Sequence, residues 1–363
     1  MRIALIGDAQ SPHLLKWARA LAAAADVELW VASSRGFAPG FDGLVPQQRR
    51  LALNFDAAHA GGNVVLLASL PRLGAWLRRV DADWLHAHYL TSHGTLAWLA
   101  QRLWRLRGRI VGSAWGSDIL VAPERSTVYR WLTRRVLRAC TLATSDSLHM
   151  AQRMRALGAA AVMTCSFGLE ALPPEPGRKA PWLFFANRGL EPLYRPERVL
   201  ALFAQVAATR PAARLVVAND GSLAASLPAQ ARALGLTVGA IADGQQVEFV
   251  GRLGSVEQAA WYAGARWYVS LPHSDSVAVS VLEAMAHGCI PLLSDLPANR
   301  ELVDDGRNGL IVPDAGLEVG VLQPLLDRAE RVAEDNRAWV AQHGLFAPAV
   351  ERFLARLREL RCP

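Results

Sequence analysis

The chain has 363 residues, 52% of them hydrophobic, a length and composition that favour two domains, each with its own core. Its formal charge of +7 rests almost wholly on arginine, since Lys16 and Lys179 are the only lysines, and it favours an anionic partner such as phosphate, an acidic lipid surface or nucleic acid. No apolar run reaches the roughly 18 to 20 residues that span a bilayer, and Cys140, Cys165, Cys289 and Cys362 are too scattered for a disulfide framework or a zinc site, so a reducing cytoplasm is expected.

Arg2–Ile6 reads as a buried strand rather than a secretory leader, because the stretch turns polar at Asp8. Further strands are predicted at Val27–Val31, Trp84–His86, Arg109–Ser113 and Thr141–Thr144. Amphipathic helices are predicted between and after them, at His13–Ala24, Thr95–Leu106, Thr127–Arg138 and His149–Leu157. Strand, helix, strand in that order argues for parallel βαβ units. The Pro-rich run from Glu170 to Lys179 can pack as neither helix nor strand, which marks 171–180 as the linker between an N-terminal domain (1–170) and a C-terminal one (181–345).

The alternation then restarts, with strands predicted at Trp182–Ala186, Arg214–Ala218, Glu248–Val250, Tyr268–Ser270, Pro291–Ser294 and Leu310–Val312. Helices are expected at Pro196–Ala208, Ser222–Ala233, Ser255–Tyr262, Val277–Ala286 and Glu318–Gln342. The tail, 346–363, carries an amphipathic helix over Ala347–Leu360 that is expected to pack back on the N-terminal domain. The fold class is therefore α/β, with two doubly wound domains expected to face each other across a cleft at the carboxyl ends of their strands, where such sheets bind ligands.

The most informative stretch runs from Ser274 to Pro291. A short polar loop opens an apolar helix near Ser276 and Val277, with Asp275 at its mouth, Glu283 two turns in and Gly288 as its stop. A helix start offers unpaired N–H groups and positive dipole to a phosphate. Asp275 and Glu283 are too far apart to share a proton, and are spaced to grip two parts of one long ligand such as a nucleotide sugar. Gly7, after the first strand, suits a tight turn where backbone approaches a ligand. Gly251 reads equally as a turn or a ligand contact.

With Asp275–Pro291, Glu301–Pro313, Val247–Gly251 and Asn219–Gly221 in view, the whole chain resembles the retaining glycosyltransferases of family 4, which have the GT-B fold of two Rossmann-like domains. The resemblance implies sugar transfer from a nucleotide diphosphate, with UDP preferred over GDP, anomeric configuration kept and no metal or other cofactor. The donor would bind to the C-terminal domain and the acceptor to the N-terminal one. The family's pair of acidic residues lands on Asp275, facing the donor sugar, and Glu283, facing the ribose. An Arg and a Lys that hold the diphosphate match Arg188 and, most nearly, Arg195. The family's His-Gly-(Ser/Thr)-Asp run becomes Ala114-Trp115-Gly116-Ser117-Asp118, in which the Trp115 indole can donate a hydrogen bond but cannot titrate. Asp118 falls on the acceptor side.

Three histidines, His86, His88 and His93, lie at a strand end just upstream, and His88, then His93, is the candidate for acceptor contact. A metal site is the rival reading of that spacing, and backbone-satisfied loop histidines the plainest one. Two helical segments rich in tryptophan and arginine, one with Trp98, Leu99, Leu103, Trp104 and Leu106 and one with Trp131, Leu132, Val136 and Leu137, suit either an anionic membrane surface or a core-facing stripe. A membrane would go with a lipid-linked acceptor, as in cell-surface polysaccharide assembly. The competing readings are a sugar-nucleotide epimerase on the same fold and a catalytically degenerate protein that only binds nucleotide sugars. A basic nucleic-acid binder is disfavoured, because the arginines are dispersed and no nucleic-acid motif is present.

Overall fold

In the computed structural model, which describes residues 1–55, 64–175 and 177–361, the chain divides into two compact units, Met1–Cys165 with Ala347–Pro363 and Ser166–Phe346. The run 171–180 that reads as a linker thus belongs to the second unit, and its Pro176, like Cys362 of the tail, lies outside the described residues.

The first unit runs β1 (Arg2–Gly7), α1 (Pro12–Ala22), β2 (Glu28–Ser33), β3 (Arg50–Ala52), α2 (Leu70–Val80), β4 (Trp84–His88), α3 (Thr95–Leu103), β5 (Arg109–Ser113), α4 (Ala122–Arg125), α5 (Thr127–Ala139), β6 (Cys140–Ser145), α6 (Leu148–Ala156) and β7 (Val162–Thr164). Its sheet is parallel in the order β3-β2-β1-β4-β5-β6-β7. The apolar run Ile3–Ile6 is wholly buried because helices cover both faces of a parallel sheet. Gly7 closes β1 where α1 crosses closely: a Cβ there would stand 2.6 Å from Leu14 Cδ1.

The second unit runs β8 (Ala180–Ala186), α7 (Pro196–Thr209), β9 (Arg214–Ala218), α8 (Leu227–Ala233), β10 (Val247–Gly251), α9 (Ser255–Gly264), β11 (Ala265–Ser270), α10 (Val279–Ala286), β12 (Ile290–Ser294), β13 (Leu310–Val312), α11 (Leu322–Asp327) and α12 (Ala329–His343). The order here is β10-β9-β8-β11-β12-β13, again parallel. The final helix, α13 (Phe346–Arg361), packs in the first unit, where Phe353 stands 5.1 Å from the ring of Trp17 and 5.1 Å from that of His86.

Several elements depart from the sequence reading. The short strands β3 and β7 and the helix α2 have no counterpart in it. The helix expected over Glu318–Gln342 is broken into a 3-10 turn at Val319–Val321, α11 and α12. Pro324 lacks the N–H that would bond back to Gly320, which confines the turn before it. The helix expected from Ser222 begins only at Leu227; residues 222–226 form turns, with the Ser222 N–H donating to Glu191 at 2.9 Å.

In both sheets the order reverses beside the first strand of the unit, between β1 and β4 and between β8 and β11. A crevice outside the carboxyl ends of the strands at such a switch point is where open α/β sheets take ligands.

Candidate active site

In the second unit the switch point brings together the segment after β8, with Asn187 and Arg188, and the loop between β11 and α10, with Asp275. Arg188 Nη2 donates to Asp275 Oδ2 at 2.5 Å and Nη1 donates to Ser280 Oγ at 3.2 Å. The ring of Tyr194 covers the guanidinium at 4.5 Å from its centroid, a cation–π contact. Burial alone would lower the Arg188 pKa, but the charge of Asp275 and the neighbouring tyrosines hold it above its ordinary value, so it stays a cation.

Behind this pair lies a network of hydroxyls. The Tyr268 hydroxyl stands 2.8 Å from both Asn187 Oδ1 and Ser280 Oγ. That of Tyr262 accepts from Asn187 Nδ2 at 2.7 Å, and lies 3.1 Å from Glu283 Oε2 and 3.2 Å from the Ser280 carbonyl. Burial raises both phenols above their ordinary value, so they remain protonated and donate. Glu283 also accepts from Gln258 at 3.2 Å. Glu283 is thereby held from behind, as a residue at a precise site must be, while Asp275 is held by Arg188 and the Ser276 N–H.

The helix start expected near Ser276 lies further on. α10 begins at Val279, and Ala278 fills the capping position with no side-chain bond. Ser276 and Val277 stand in the loop before it; Ser276 is buried and its N–H is spent on Asp275 Oδ1 at 3.0 Å. Asp275 is a loop residue, not a cap. Arg195, in the left-handed region at φ 50°, pairs with Asp314 at 3.1 Å rather than with Asp275 or Glu283. Gly251 has φ 69°, a conformation glycine adopts cheaply, and its carbonyl accepts the Asn219 N–H at 2.6 Å, a structural use.

In the first unit, a cavity of roughly 240 Å³ at the β1/β4 switch is lined by Asp8, Gln10, Ser11, Arg35, His88, Tyr89 and Trp115, among others. Trp115 forms one wall, stacked on Tyr89 at 5.8 Å between centroids and 4.8 Å from the ring of His13. Its Nε1–H donates to His88 Nδ1 at 3.2 Å. That bond fixes the His88 tautomer with its proton on Nε2, and Nε2 is buried with no hydrogen-bond partner. His88 ends β4 rather than sitting in a loop, and burial first, then its histidine neighbours, holds its pKa well below the ordinary value. With its lone pair on Nδ1 taken and its pKa lowered, His88 is poorly suited to accept a proton from a hydroxyl.

His93 and Asp118 do not line that cavity. His93 is fully buried with Nδ1 2.8 Å from the His88 carbonyl. Asp118 is fully buried and accepts the backbone N–H groups of Leu90 (2.8 Å) and Trp115 (3.0 Å), so it ties the turn after β4 to the turn after β5. It thus holds the backbone of Trp115 and of Leu90 from outside the cavity. Gly7 is spent on packing against Leu14, as described above. Asp8, which the sequence reading passed over, is buried at the cavity with Arg35 Nε at 3.1 Å; burial raises its carboxyl, but Arg35 and the Gln10 N–H bring it below the ordinary value. Among the described residues no three His, Cys, Asp or Glu side chains gather where they could hold a metal ion.

Residues 2–147 match the model of glycosyl transferase 4-like proteins, and residues 173–339 match that of glycosyl transferases group 1. Together the two matches take in most of the chain. It belongs to the glycosyl transferases. No curated protein matches the sequence. Among solved structures, HepE from Anabaena in complex with UDP and glucose superposes with a TM-score of 0.74 at 13% identity, over 99% of this chain and 99% of that one. Sucrose-phosphate synthase from Thermosynechococcus elongatus gives 0.71 at 16%, covering 99% of each. The lipopolysaccharide outer core galactosyltransferase WaaB gives 0.65 at 14%, covering 98% and 99%. The two sheets of this glycosyltransferase thus make the GT-B fold of two Rossmann-like domains, with the Arg188–Asp275–Glu283 cluster inside the group 1 part and the Trp115 cavity inside the 4-like part.

Proposed function

We propose that the enzyme moves a sugar from a nucleoside diphosphate, UDP in preference to GDP, to an acceptor hydroxyl, with retention of configuration and without a metal ion. The observation that carries this reading is the gathering of Arg188, Asp275, Ser280 and Glu283 at the β8/β11 switch. One cation and two separately held carboxylates there match the three parts of a donor: diphosphate, sugar and ribose. That HepE is described in complex with UDP and with UDP-glucose supports the choice of base.

In this reading Arg188 holds the β-phosphate and stabilises the charge it gains as the bond from the anomeric carbon to the phosphate oxygen breaks. The acceptor oxygen attacks from the same face, and its proton passes to the departing phosphate. The protein needs no base of its own, which fits the neutral, hydrogen-bonded state of His88. Glu283, with Tyr262 and Gln258 fixing its carboxylate, accepts from the ribose hydroxyls. The first unit would seat the acceptor in the cavity walled by Trp115 and Tyr89, flat rings suited to a sugar face.

The membrane surface belongs to the same proposal, carried by α5 alone. Trp98, Leu99, Trp104 and Leu106 pack on the first unit's core, so their segment is a core-facing stripe with only Leu103 left out. On α5, by contrast, Val128 is 68% and Trp131 53% exposed, among the exposed Arg130, Arg134, Arg135 and Arg138 and no acidic residue of that helix. An indole among arginines suits an anionic bilayer and a lipid-linked acceptor. Among the described residues no helix is long and apolar enough to cross a membrane.

Thermal unfolding in the presence of UDP, GDP, ADP and their glucose conjugates tests the donor. A rise with UDP and its sugar above the others is expected; no rise with any of them contradicts the reading. Release of UDP that depends on added acceptor then separates transfer from epimerisation and from binding alone.

A further inference from the structure

Resting on the donor site proposed above, we propose that Asp275 is an internal counter-anion to Arg188, which the donor's diphosphate must displace. Phosphate binding would then hand the Asp275 carboxylate to the sugar. Two of the three guanidinium nitrogens of Arg188 are already engaged. One terminal nitrogen faces Asp275 at 2.5 Å, the other faces Ser280 Oγ at 3.2 Å, and the ring of Tyr194 lies 4.5 Å away over the guanidinium. The remaining nitrogen, Nε, is buried with no hydrogen-bond partner. A phosphate takes an arginine best through two parallel N–H bonds, and with Nη1 on Ser280 and Nη2 on Asp275 no two nitrogens of the fork are both unengaged.

The two anions cannot share the cation cheaply. Both members of the pair are only 19% exposed, so a phosphate and a carboxylate side by side would repel with little water between them. The carboxylate can move more easily than the guanidinium. Asp275 stands in the loop before α10, anchored there through the Ser276 N–H at 3.0 Å, whereas Arg188 is clasped from two sides by Tyr194 and Ser280. Exchange of partners therefore couples two events. Until phosphate arrives, Asp275 is neutralised by Arg188; once it arrives, Asp275 is released as an uncompensated acceptor for sugar hydroxyls. Asp275 is in this sense a positioning residue for Arg188 as well as a sugar contact.

Calorimetric titration with UDP and with UDP-glucose tests this in the wild type, Asp275→Asn and Asp275→Glu. Asn keeps an acceptor for the Ser276 N–H and loses the charge. UDP should bind Asp275→Asn about tenfold more tightly than wild type, the low end of the coupling seen for close charge pairs. UDP-glucose should gain less, because its sugar loses a partner. Asp275→Glu, which keeps the charge, should stay within about threefold of wild type for UDP. UDP affinity that is unchanged or weaker in Asp275→Asn overturns the exchange, as does an equal gain in Asp275→Glu. A wild type that binds no nucleoside diphosphate sinks the donor reading itself, a different and separately visible result.

Discussion

Acidification should weaken this protein through its buried histidines, and His86 lets the size of that effect be worked out. Its Nε2 lies 2.7 Å from Ser113 Oγ, the rings of Trp17, His88 and Phe353 surround it, and burial lowers its pKa to about 3. In the unfolded chain it titrates near its ordinary 6.5. The depressed value means that, as pH falls below about 6.5, the unfolded chain takes up a proton that the folded one refuses, and stability drops until the folded value is reached. Each pH unit in that window is worth about 1.4 kcal/mol, so going from about pH 7 to about pH 5 costs about 2 kcal/mol from His86 alone. His88, also held neutral by burial, adds a second share. Urea unfolding of wild type and His86→Gln at both pH values measures the difference. His86→Gln should lose about 2 kcal/mol less than wild type over that interval. Identical losses in the two proteins would refute the claim that His86 is held uncharged.

Asp118→Ala should cost about 2 to 4 kcal/mol, because it leaves the buried N–H groups of Leu90 and Trp115 without acceptors, and should shift the Trp115 emission; a stability within about 0.5 kcal/mol of wild type would show that the two turns are held by something else. Arg188→Ala should cut turnover at least about a hundredfold, as loss of one oriented charge donor does, while Glu283→Ala should mainly weaken UDP binding. Wild-type turnover in the first variant, or unchanged UDP affinity in the second, removes that residue from its role. Sedimentation with anionic liposomes at low salt should capture wild type and lose most of Trp131→Ser; a wild type that stays in the supernatant ends the membrane proposal.

Most of the longer elements were legible in the sequence, since most of the parallel strands are apolar runs bounded by turn residues; the exception is α2, which went unread although Leu70, Leu73, Trp76, Leu77 and Val80 recur at helical spacing. The edge strands β3 and β7 are three residues each, like β13, but β13 is wholly buried and reads as an apolar run whereas they are only partly buried and do not. At the donor site Glu283 stands out in the sequence as a charge within an apolar helix and Asp275 as the acid at that helix's mouth, whereas Arg188 comes into view only through the family resemblance. Ser280, Tyr262 and Tyr268 could not be found, because a hydroxyl within a helix or a buried strand looks like packing until its partners are known. The start of α10 was misread because Asp275 and Ser276 look like a cap, whereas their polar groups satisfy each other and the helix waits until Val279. The histidines failed for the converse reason. Three at a strand end suggest chemistry, whereas only His88 lines the cavity, where it accepts from Trp115, and His86 and His93 are fully buried.

The central claim is that the carboxyl ends of β8 and β11 hold a nucleoside diphosphate sugar. Diffraction from crystals soaked in UDP-glucose tests it most directly. The account predicts pyrophosphate density on the Arg188 guanidinium, the ribose against Glu283, and Asp275 turned away from Arg188 toward the glucose. Density for the nucleotide elsewhere, with the Arg188–Asp275 pair intact and Glu283 untouched, would contradict it.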